Sequence, residues 1–226
     1  MSTPITLYTH PISSNAVRTD VVLREKGLSF DKVVVDLFQG EHKKPPLIDL
    51  NPRGQVPTLV HGAGDEAVVV YESVATMRFL EELYPTPALM PPASNVKARA
   101  LSLVRLEQFQ SKLDPCNIFG SVVFRKQGRD ELGARLDNLL SELGRWNDAV
   151  GPSGYLIGDT MTLPDIAIFP VLVQVEAIGY DFAARAPALA KYLAQMKQRP
   201  SVVATGWLSA FGQMMKQMAP AQVLAG

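Results

Sequence analysis

The sequence is poor in the residues from which disulfides and metal sites are built. Cys116 is the one cysteine among 226 residues, which excludes an internal disulfide and any paired-cysteine redox or zinc motif. The three histidines, His10, His42 and His61, show no metal-ligand spacing, so we expect no metal. Neither a disulfide nor a structural metal is therefore expected to hold this fold together.

The chain also lacks a net charge and a long apolar run. Its 22 basic residues balance 22 acidic ones, which argues against a nucleic-acid or membrane-surface partner. No apolar run approaches membrane-spanning length, and the first four residues lack the charged and apolar regions of a signal peptide. We therefore expect a soluble cytoplasmic protein, long enough for one large core or two smaller domains.

Strand and helix signals alternate over the first 84 residues. They predict a parallel β-α-β unit followed by a β-hairpin and a helix, which together make a small α/β domain. The expected elements are a strand at 5–8, a helix at 15–26, a buried strand at 30–37, a short helix at 46–50, two hairpin strands within 51–71 and a helix at 73–84.

Prolines at four of the eight positions in residues 85–92 predict a linker, because proline disfavours both helix and sheet. The remainder, residues 93–226, has helical periodicity and predicts an all-helical domain. The expected helices are 96–126 with a kink at Pro115, 129–150, a core helix at 166–178 behind a capping box at 162–165, 188–198 and 202–218.

The stretch between residues 51 and 73 carries the clearest chemical signal. Pro57 at the start of a strand withholds an N–H from the sheet and is a candidate for a cis peptide bond. The Val56 backbone before it can then pair with a peptide-like ligand as an extra strand, although an ordinary strand is the alternative. Glu72 and Ser73 open a helix whose free N–H groups favour a carboxylate. These residues fit a short peptide with an anionic end.

The landmarks of this chain resemble those of the cytosolic glutathione transferase family. They are Leu7-Tyr8 with Ser13 downstream, Asn51-Pro52 before Gln55-Val56-Pro57-Thr58-Leu59, Glu72-Ser73, and the capping box that follows Tyr155-Leu156-Ile157-Gly158-Asp159. The resemblance covers nearly the whole chain. It implies a thioredoxin-like α/β domain at 1–84, a linker at 85–92 and an all-α domain at 93–226.

The resemblance implies that glutathione is the co-substrate and reacts as its thiolate. Because a free thiol has a pKa of roughly 8.5, the protein must favour the charged sulfur. In the serine-type classes theta, zeta and phi, the match to Leu7-Tyr8 and Arg18 places the catalytic serine at Ser13. Its hydroxyl, at a helix N-terminus, can donate to the sulfur. A simple helix cap is the alternative role for Ser13, and Ser14 and Tyr8 are alternative donors.

The resemblance also assigns contacts to the three parts of glutathione. The glycyl carboxylate is expected to face His42 and Lys43, unless these residues form only a solvated loop. The cysteinyl backbone is assigned to Gln55 and Val56, with Pro57 shaping the turn. The γ-glutamyl amine and carboxylate are assigned to Glu72 and Ser73.

An apolar pocket for an electrophile is implied between the two predicted domains. The residues assigned to it are Pro11, Ile12, Phe109, Leu113, Phe119, Trp207 and Phe211. Aromatic residues at helical spacing more often form a helix core than a cleft, so the core is the alternative for these side chains.

The activity implied is conjugation of glutathione to small hydrophobic electrophiles by a homodimer. A glutathione-dependent isomerase of the maleylacetoacetate isomerase type and a disulfide reductase are alternatives, because the donor to sulfur would be the same. A non-catalytic binding module, as in elongation factor gamma subunits, is an alternative of a different class. The sequence leaves the electrophile, the reaction subtype and the strength of the dimer open.

Overall fold

A computed structural model describes residues 3–225 of the protein. Residues 1, 2 and 226 lie outside this range. They include the outer limits of the two predicted domains and the first two of the four N-terminal residues considered above. The described residues form two compact units. The first contains residues up to Ala88 together with Pro200–Phe211, and the second contains Leu89–Arg199 and the residues from Gly212 onward. The sequence-based division instead assigned all of 93–226 to one domain, since helical periodicity does not reveal which unit a helix packs into.

The first unit is built on a four-stranded mixed sheet. Its strands are β1 Ile5–Thr9, β2 Asp31–Val34, β3 Thr58–His61 and β4 Val68–Tyr71, in the spatial order β2-β1-β3-β4. β1 and β2 are parallel, whereas β3 is antiparallel to both β1 and β4. The parallel β-α-β unit and the hairpin predicted from the sequence are therefore confirmed.

Two helices pack against the sheet, and a third, short helix contacts the 3-10 turn that precedes it. They are α1 Ser14–Glu25, α3 Ser73–Leu83 and the short α2 Leu47–Leu50, with 3-10 turns at Glu41–Lys43 and Gly64–Glu66. α1 and α3 pack side by side, and the buried hydroxyls of Thr19 and Thr76 form a 2.6 Å hydrogen bond between them. This packing fixes the positions of the two helix N-termini relative to each other.

The prediction of a buried strand at residues 30–37 was wrong. The strand covers only Asp31–Val34, lies at the edge of the sheet and is exposed along its length, with Val34 at 59%. An edge strand has a neighbour on one side only, and valine content does not distinguish it from a central strand. Burial resumes at Val35, the residue after the strand.

The second unit is helical, and within Leu89–Arg199 no strand is present. Its helices are α4 Val96–Gln108, α5 Phe119–Val123, α6 Arg129–Leu132, α7 Ala134–Ala149, α8 Leu163–Ala177, α9 Phe182–Arg185 and α10 Pro187–Lys197. The predicted kink at Pro115 is a full break, because a π-helical turn at Phe109–Leu113 and a 3-10 turn at Asp114–Cys116 follow α4. The chain then forms α11 Pro200–Ala204 and α12 Trp207–Met218.

α8 is the core helix of the second unit, as predicted. All of its residues from Leu163 to Val175 are buried, and the capping box at its start is present. Asp165 accepts hydrogen bonds from the N–H and the hydroxyl of Thr162 at 2.8 and 2.7 Å, and from the Leu156 N–H at 2.9 Å. Within residues 3–225, no helix has the length and apolar character that crossing a membrane requires.

Candidate functional site

Three chain segments meet at one end of the sheet in the first unit. In the strand register Tyr8 of β1 lies opposite Thr58 of β3, which in turn lies opposite Tyr71 of β4. β1 therefore leaves the sheet at the same end at which β3 enters it and β4 leaves it. Ser13, Val56 and Glu72, which are far apart in sequence, follow or precede these strand ends.

Ser13 is the N-cap residue of α1. Its Oγ accepts a hydrogen bond from the Ala16 N–H at 3.1 Å, and its own N–H donates to the His10 carbonyl at 3.0 Å. No described residue accepts the Ser13 hydroxyl hydrogen. Because a hydroxyl has two lone pairs and one O–H, the cap uses a lone pair and leaves the donor available. Capping and donation to a ligand are thus compatible roles for this half-buried side chain.

The two alternative donors have different surroundings. Ser14 is half-buried in the first turn of α1. Tyr8 packs against a cluster of buried apolar side chains that includes Ala16 and Val56. Tyr8 therefore helps to hold the start of α1 against the segment before β3, and the identity of the sulfur donor stays a prediction.

The segment before β3 presents an unpaired backbone. No described residue forms a hydrogen bond with the N–H or the C=O of Val56, and the peptide bond to Pro57 is cis, the isomer that the sequence suggested. The buried carboxamide of Asn51 holds this segment in place, donating to the Gln55 carbonyl at 3.0 Å and to Thr58 Oγ1 at 3.1 Å. In the sequence Asn51 is recognisable as a landmark of the family resemblance, without a role of its own.

Glu72 adopts an unusual backbone conformation at the start of α3. Its φ of +69° and ψ of 120° are rare for a residue with a side chain, and such conformations cost about 1–3 kcal/mol and cluster at ligand sites. Its carboxylate is mostly exposed and lies 3.7 Å from Arg53 Nε, a loose pairing that leaves it accessible. Ser73, the first helical residue, is half-buried.

Arg18 connects two of these segments. Its side chain is buried, and Nη1 donates to the Asn15 side chain at the start of α1 and to Ser73 Oγ at 3.3 Å. For Arg18 the sequence allows either bracing of the serine loop or exposure to water, and the burial of the side chain excludes exposure. Its position one and a half turns after Ser13, on the buried face of α1, is the signal that indicates a bridging role.

The 3-10 turn Glu41–Lys43 is held against the loop that leads to Gln55. Lys43 Nζ donates to the Arg53 carbonyl at 2.7 Å, and His42 Nδ1 is buried with no hydrogen-bond partner among the described residues. Gly54 makes this contact close, because a Cβ at this residue would lie 2.4 Å from the His42 carbonyl oxygen. The structure thus brings His42 and Lys43 beside the loop that carries Gln55.

Gly54→Ala is expected to lower the free energy of unfolding by about 2–4 kcal/mol, because it adds a backbone clash to an unfavourable positive φ. Gly40→Ala is the matched control, since Gly40 also has a positive φ but an added Cβ would contact nothing. We expect the control to cost about 1 kcal/mol. Urea unfolding of both variants measures the difference, and equal losses would show that the close approach at Gly54 is unimportant.

A small cleft lies at the loop after β1, within the first unit. It measures about 160 Å³ and is lined by Thr9, His10, Pro11, Val17, Asp20, Lys32, Val34, Thr205, Gly206 and Trp207. Two residues of the predicted electrophile pocket, Pro11 and Trp207, therefore meet here, and Ile12 does not line the cleft. Burial lowers the pKa of His10, partly opposed by the Asp36 carboxylate, which favours the neutral form of this ring.

The other residues predicted for the electrophile pocket are buried. Phe211 stacks on Trp207 at a ring distance of 5.1 Å in the first unit. Phe109 and Leu113 lie on the π-helical turn of the second unit and Phe119 starts α5, each less than 5% exposed. Their membership of a pocket stays a prediction.

A metal-binding cluster is also not evident. Among residues 3–225, no three or more histidine, cysteine, aspartate or glutamate side chains are grouped so that they could hold a metal ion.

Comparisons with known proteins identify both halves of the chain. Residues 12–83 match the family described as "Glutathione S-transferase, N-terminal domain", and residues 126–195 match "Glutathione S-transferase, C-terminal domain". Glutathione S-transferase 3 of Zea mays is 33% identical over 212 residues, covering 88% of this chain and 91% of the relative. Maleylacetoacetate isomerase of Pseudomonas aeruginosa is 31% identical over 189 residues, covering 76% and 82%.

A solved structure shows the same fold. The crystal structure of a glutathione S-transferase from the Antarctic clam Laternula elliptica superposes with a TM-score of 0.77 at 29% identity, covering 89% of this chain and 91% of that chain. The α/β unit and the helical unit thus both have counterparts in proteins of known structure.

Proposed function

The chain belongs to the glutathione S-transferase family, and from this premise we propose that it transfers the glutathione thiolate to small hydrophobic electrophiles. The observation that carries the proposal is the meeting of Ser13, Val56 and Glu72 at one end of the sheet. A hydroxyl donor, an unpaired backbone and a helix start with an exposed carboxylate together match the three functional groups of this peptide.

Glutathione would bind along this end of the sheet. Its cysteinyl N–H and C=O would pair with the free backbone of Val56, as in strand addition. The γ-glutamyl ammonium would meet the Glu72 carboxylate, and the γ-glutamyl carboxylate would meet Ser73 and the N–H groups at the start of α3. The glycyl carboxylate would face His42 and Lys43, which the loop at Gly54 holds in place.

The bound sulfur would then lie near the start of α1. Ser13 would donate its free O–H to the thiolate, while the α1 N-terminus adds positive potential. Both interactions favour S⁻ over SH, and thiols at helix N-termini have pKa values as low as about 3.5–7.5. The thiolate displaces a leaving group from, or adds to, the electrophile, and the new carbon–sulfur bond completes the transfer.

Titration calorimetry with glutathione tests the binding step, and the amount of glutathione consumed tests the reaction. We expect one site per chain and loss of one glutathione per 1-chloro-2,4-dinitrobenzene, with release of one chloride. Absence of binding at millimolar glutathione would contradict the proposal and favour a non-catalytic module.

Isomerisation is a second candidate, because a relative 31% identical is named maleylacetoacetate isomerase. In that reaction the thiolate adds to a carbon–carbon double bond, the bond rotates, and elimination returns glutathione. Maleylacetone, whose cis carbon–carbon double bond joins a carboxylate to a ketone, would therefore be converted to its trans isomer with no net consumption of glutathione. Turnover of this substrate at a higher kcat/KM than the chloro compound would make isomerisation the preferred function.

A further inference from the structure

His10 lines the small cleft after β1, and one of its ring nitrogens is free for a ligand. Its Nδ1 accepts a hydrogen bond from the Ile12 N–H at 3.4 Å. In a neutral imidazole one nitrogen accepts and the other carries the hydrogen, so this contact assigns the hydrogen to Nε2. No described residue accepts a hydrogen bond from Nε2. The His10 side chain therefore has one unused N–H donor.

The His10 ring is held in a fixed orientation. Besides accepting from the Ile12 N–H, it meets the Phe38 ring edge to face, with the ring centroids 5.7 Å apart and the ring planes at 75°. Because burial lowers the pKa of His10, the ring in this position is favoured as a neutral donor. A donor that is already oriented does not have to reorganise when negative charge develops on a bound molecule.

The rest of the cleft favours a small, neutral molecule. Its two charged side chains, Asp20 and Lys32, pair with each other at 2.5 Å, and Asp20 also accepts from Arg24 Nε at 2.7 Å. The volume of about 160 Å³ is below the roughly 300–1,000 Å³ of most small-molecule sites. Apolar side chains form most of the remaining wall, namely Pro11, Val17, Val34 and Trp207.

His10 and Ser13 are the two ends of one β-turn. The Ser13 N–H donates to the His10 carbonyl at 3.0 Å, and such a turn keeps the Cα atoms of its end residues within about 7 Å. In the proposed function the glutathione sulfur lies beside Ser13. An electrophile attacked there would then have the His10 donor within reach of an oxygen a few bonds from the attacked carbon.

We propose that His10 directs the transferase toward small, neutral α,β-unsaturated carbonyl compounds by donating its Nε2 hydrogen to their carbonyl oxygen in a hydrogen bond. In these compounds the carbonyl oxygen lies three bonds from the carbon that a thiolate attacks. This inference rests on the proposed function, because that function places the sulfur at Ser13. It adds to it a catalytic residue and a substrate class.

The step is a conjugate addition. An electron pair of the thiolate forms the carbon–sulfur bond at the β-carbon, the carbon–carbon double bond shifts toward the carbonyl carbon, and the carbonyl oxygen becomes an enolate oxygen. His10 keeps its proton and stabilises this oxygen through the hydrogen bond. Water then gives a proton to the α-carbon and the carbonyl forms again. This proton replaces the one that the glutathione thiol lost when it ionised, so the adduct is neutral at the new bond.

A pair of electrophiles of similar size tests the inference on the wild-type protein. But-3-en-2-one has the carbonyl oxygen, whereas allyl bromide reacts by displacement of bromide and has no oxygen. We expect the enhancement over the reaction of glutathione in water to be about tenfold or more larger for the ketone. Turnover of allyl bromide with no such preference would overturn this inference alone. Absence of glutathione consumption with both electrophiles would overturn the proposed function and, with it, this inference.

Two variants separate donation by His10 from a structural role, with the ratio of kcat/KM for the ketone to that for allyl bromide as the readout. His10→Asn retains an acceptor for the Ile12 N–H but has no donor where Nε2 lies, and His10→Gln retains the donor and loses that acceptor. We expect the ratio to fall about 10–100-fold in His10→Asn and to stay within about threefold in His10→Gln.

Ser13→Ala is the matched control, because it weakens the thiolate for both electrophiles and should change the ratio less than about threefold. Circular dichroism confirms that each variant is folded. An unchanged ratio in His10→Asn would overturn the inference. The reverse pattern, with a loss in His10→Gln and none in His10→Asn, would also overturn it, since His10 would then act only through the Ile12 N–H.

Discussion

Ser13→Ala is expected to raise the pKa of protein-bound glutathione toward the free-thiol value of roughly 8.5 and to lower kcat/KM by about 10²–10³-fold. The reason is the loss of a fixed O–H donor whose hydrogen no described residue accepts. Ultraviolet difference titration of the bound thiolate measures the pKa directly. Because glutathione would still have its backbone contacts at Val56, we expect a much smaller change in its dissociation constant.

Two further variants separate the donor role of Ser13 from its role as the N-cap of α1. Glycine caps a helix within a few tenths of a kcal/mol of serine, so Ser13→Gly should fold normally and still lose the thiolate. Ser13→Thr retains the hydroxyl and should retain most of the activity. If Ser13→Ala and Ser13→Gly bind glutathione with the wild-type thiol pKa, Ser13 is only a cap. The sulfur donor would then be sought at Ser14 or Tyr8.

Asp165→Ala is expected to destabilise the protein by about 3–5 kcal/mol. The substitution leaves the buried N–H groups of Thr162 and Leu156 without their acceptor and removes the cap of the core helix α8. Ser94→Ala, an exposed serine in the same unit, is a control that should cost less than about 0.5 kcal/mol. Urea unfolding measures both, and a loss of less than about 1 kcal/mol for Asp165→Ala would contradict this role.

Asp165 should also make stability depend on pH. Burial raises its pKa to about 6, against the hydrogen bonds from Leu156 and Thr162 that favour the carboxylate. The folded protein then binds a proton between about pH 4 and pH 6 that the unfolded chain, with a pKa near 3.9, has released. The stability contributed by this group therefore falls by about 3 kcal/mol as the pH rises from about 4 to about 6, and is constant above that.

Asp165→Asn isolates this effect, since the amide does not titrate. The unfolding free energy of the wild type minus that of Asp165→Asn should fall as the pH rises over that range, because only the wild type loses stability there. Other titrating groups cancel in the difference. A difference that is constant from pH 4 to pH 7 would show that the three hydrogen bonds fully offset burial.

Much of the fold could be predicted because its signals are local. The alternation of elements before residue 84, the prolines that follow and the capping box at Asp165 depend on neighbours within a few residues. The exposed edge position of β2 and the break after α4 could not be predicted. Valine content does not distinguish the edge of a sheet from its centre, and whether a helix continues through Phe109–Leu113 depends on what packs around it.

The candidate site also has features that the sequence predicts and features that only the folded structure shows. The order of the residues alone shows that the chain resembles the glutathione transferases. The landmarks of the site can be recognised in the sequence because each is a short motif: Ser13, Gln55-Val56-Pro57 and Glu72-Ser73. Only the folded structure decides that Arg18 reaches Ser73, that Gly54 holds the loop against His42, and that His10 shares a cleft with Trp207. These are contacts between segments distant in sequence, and they exist only after the sheet register and the helix packing have brought those segments together.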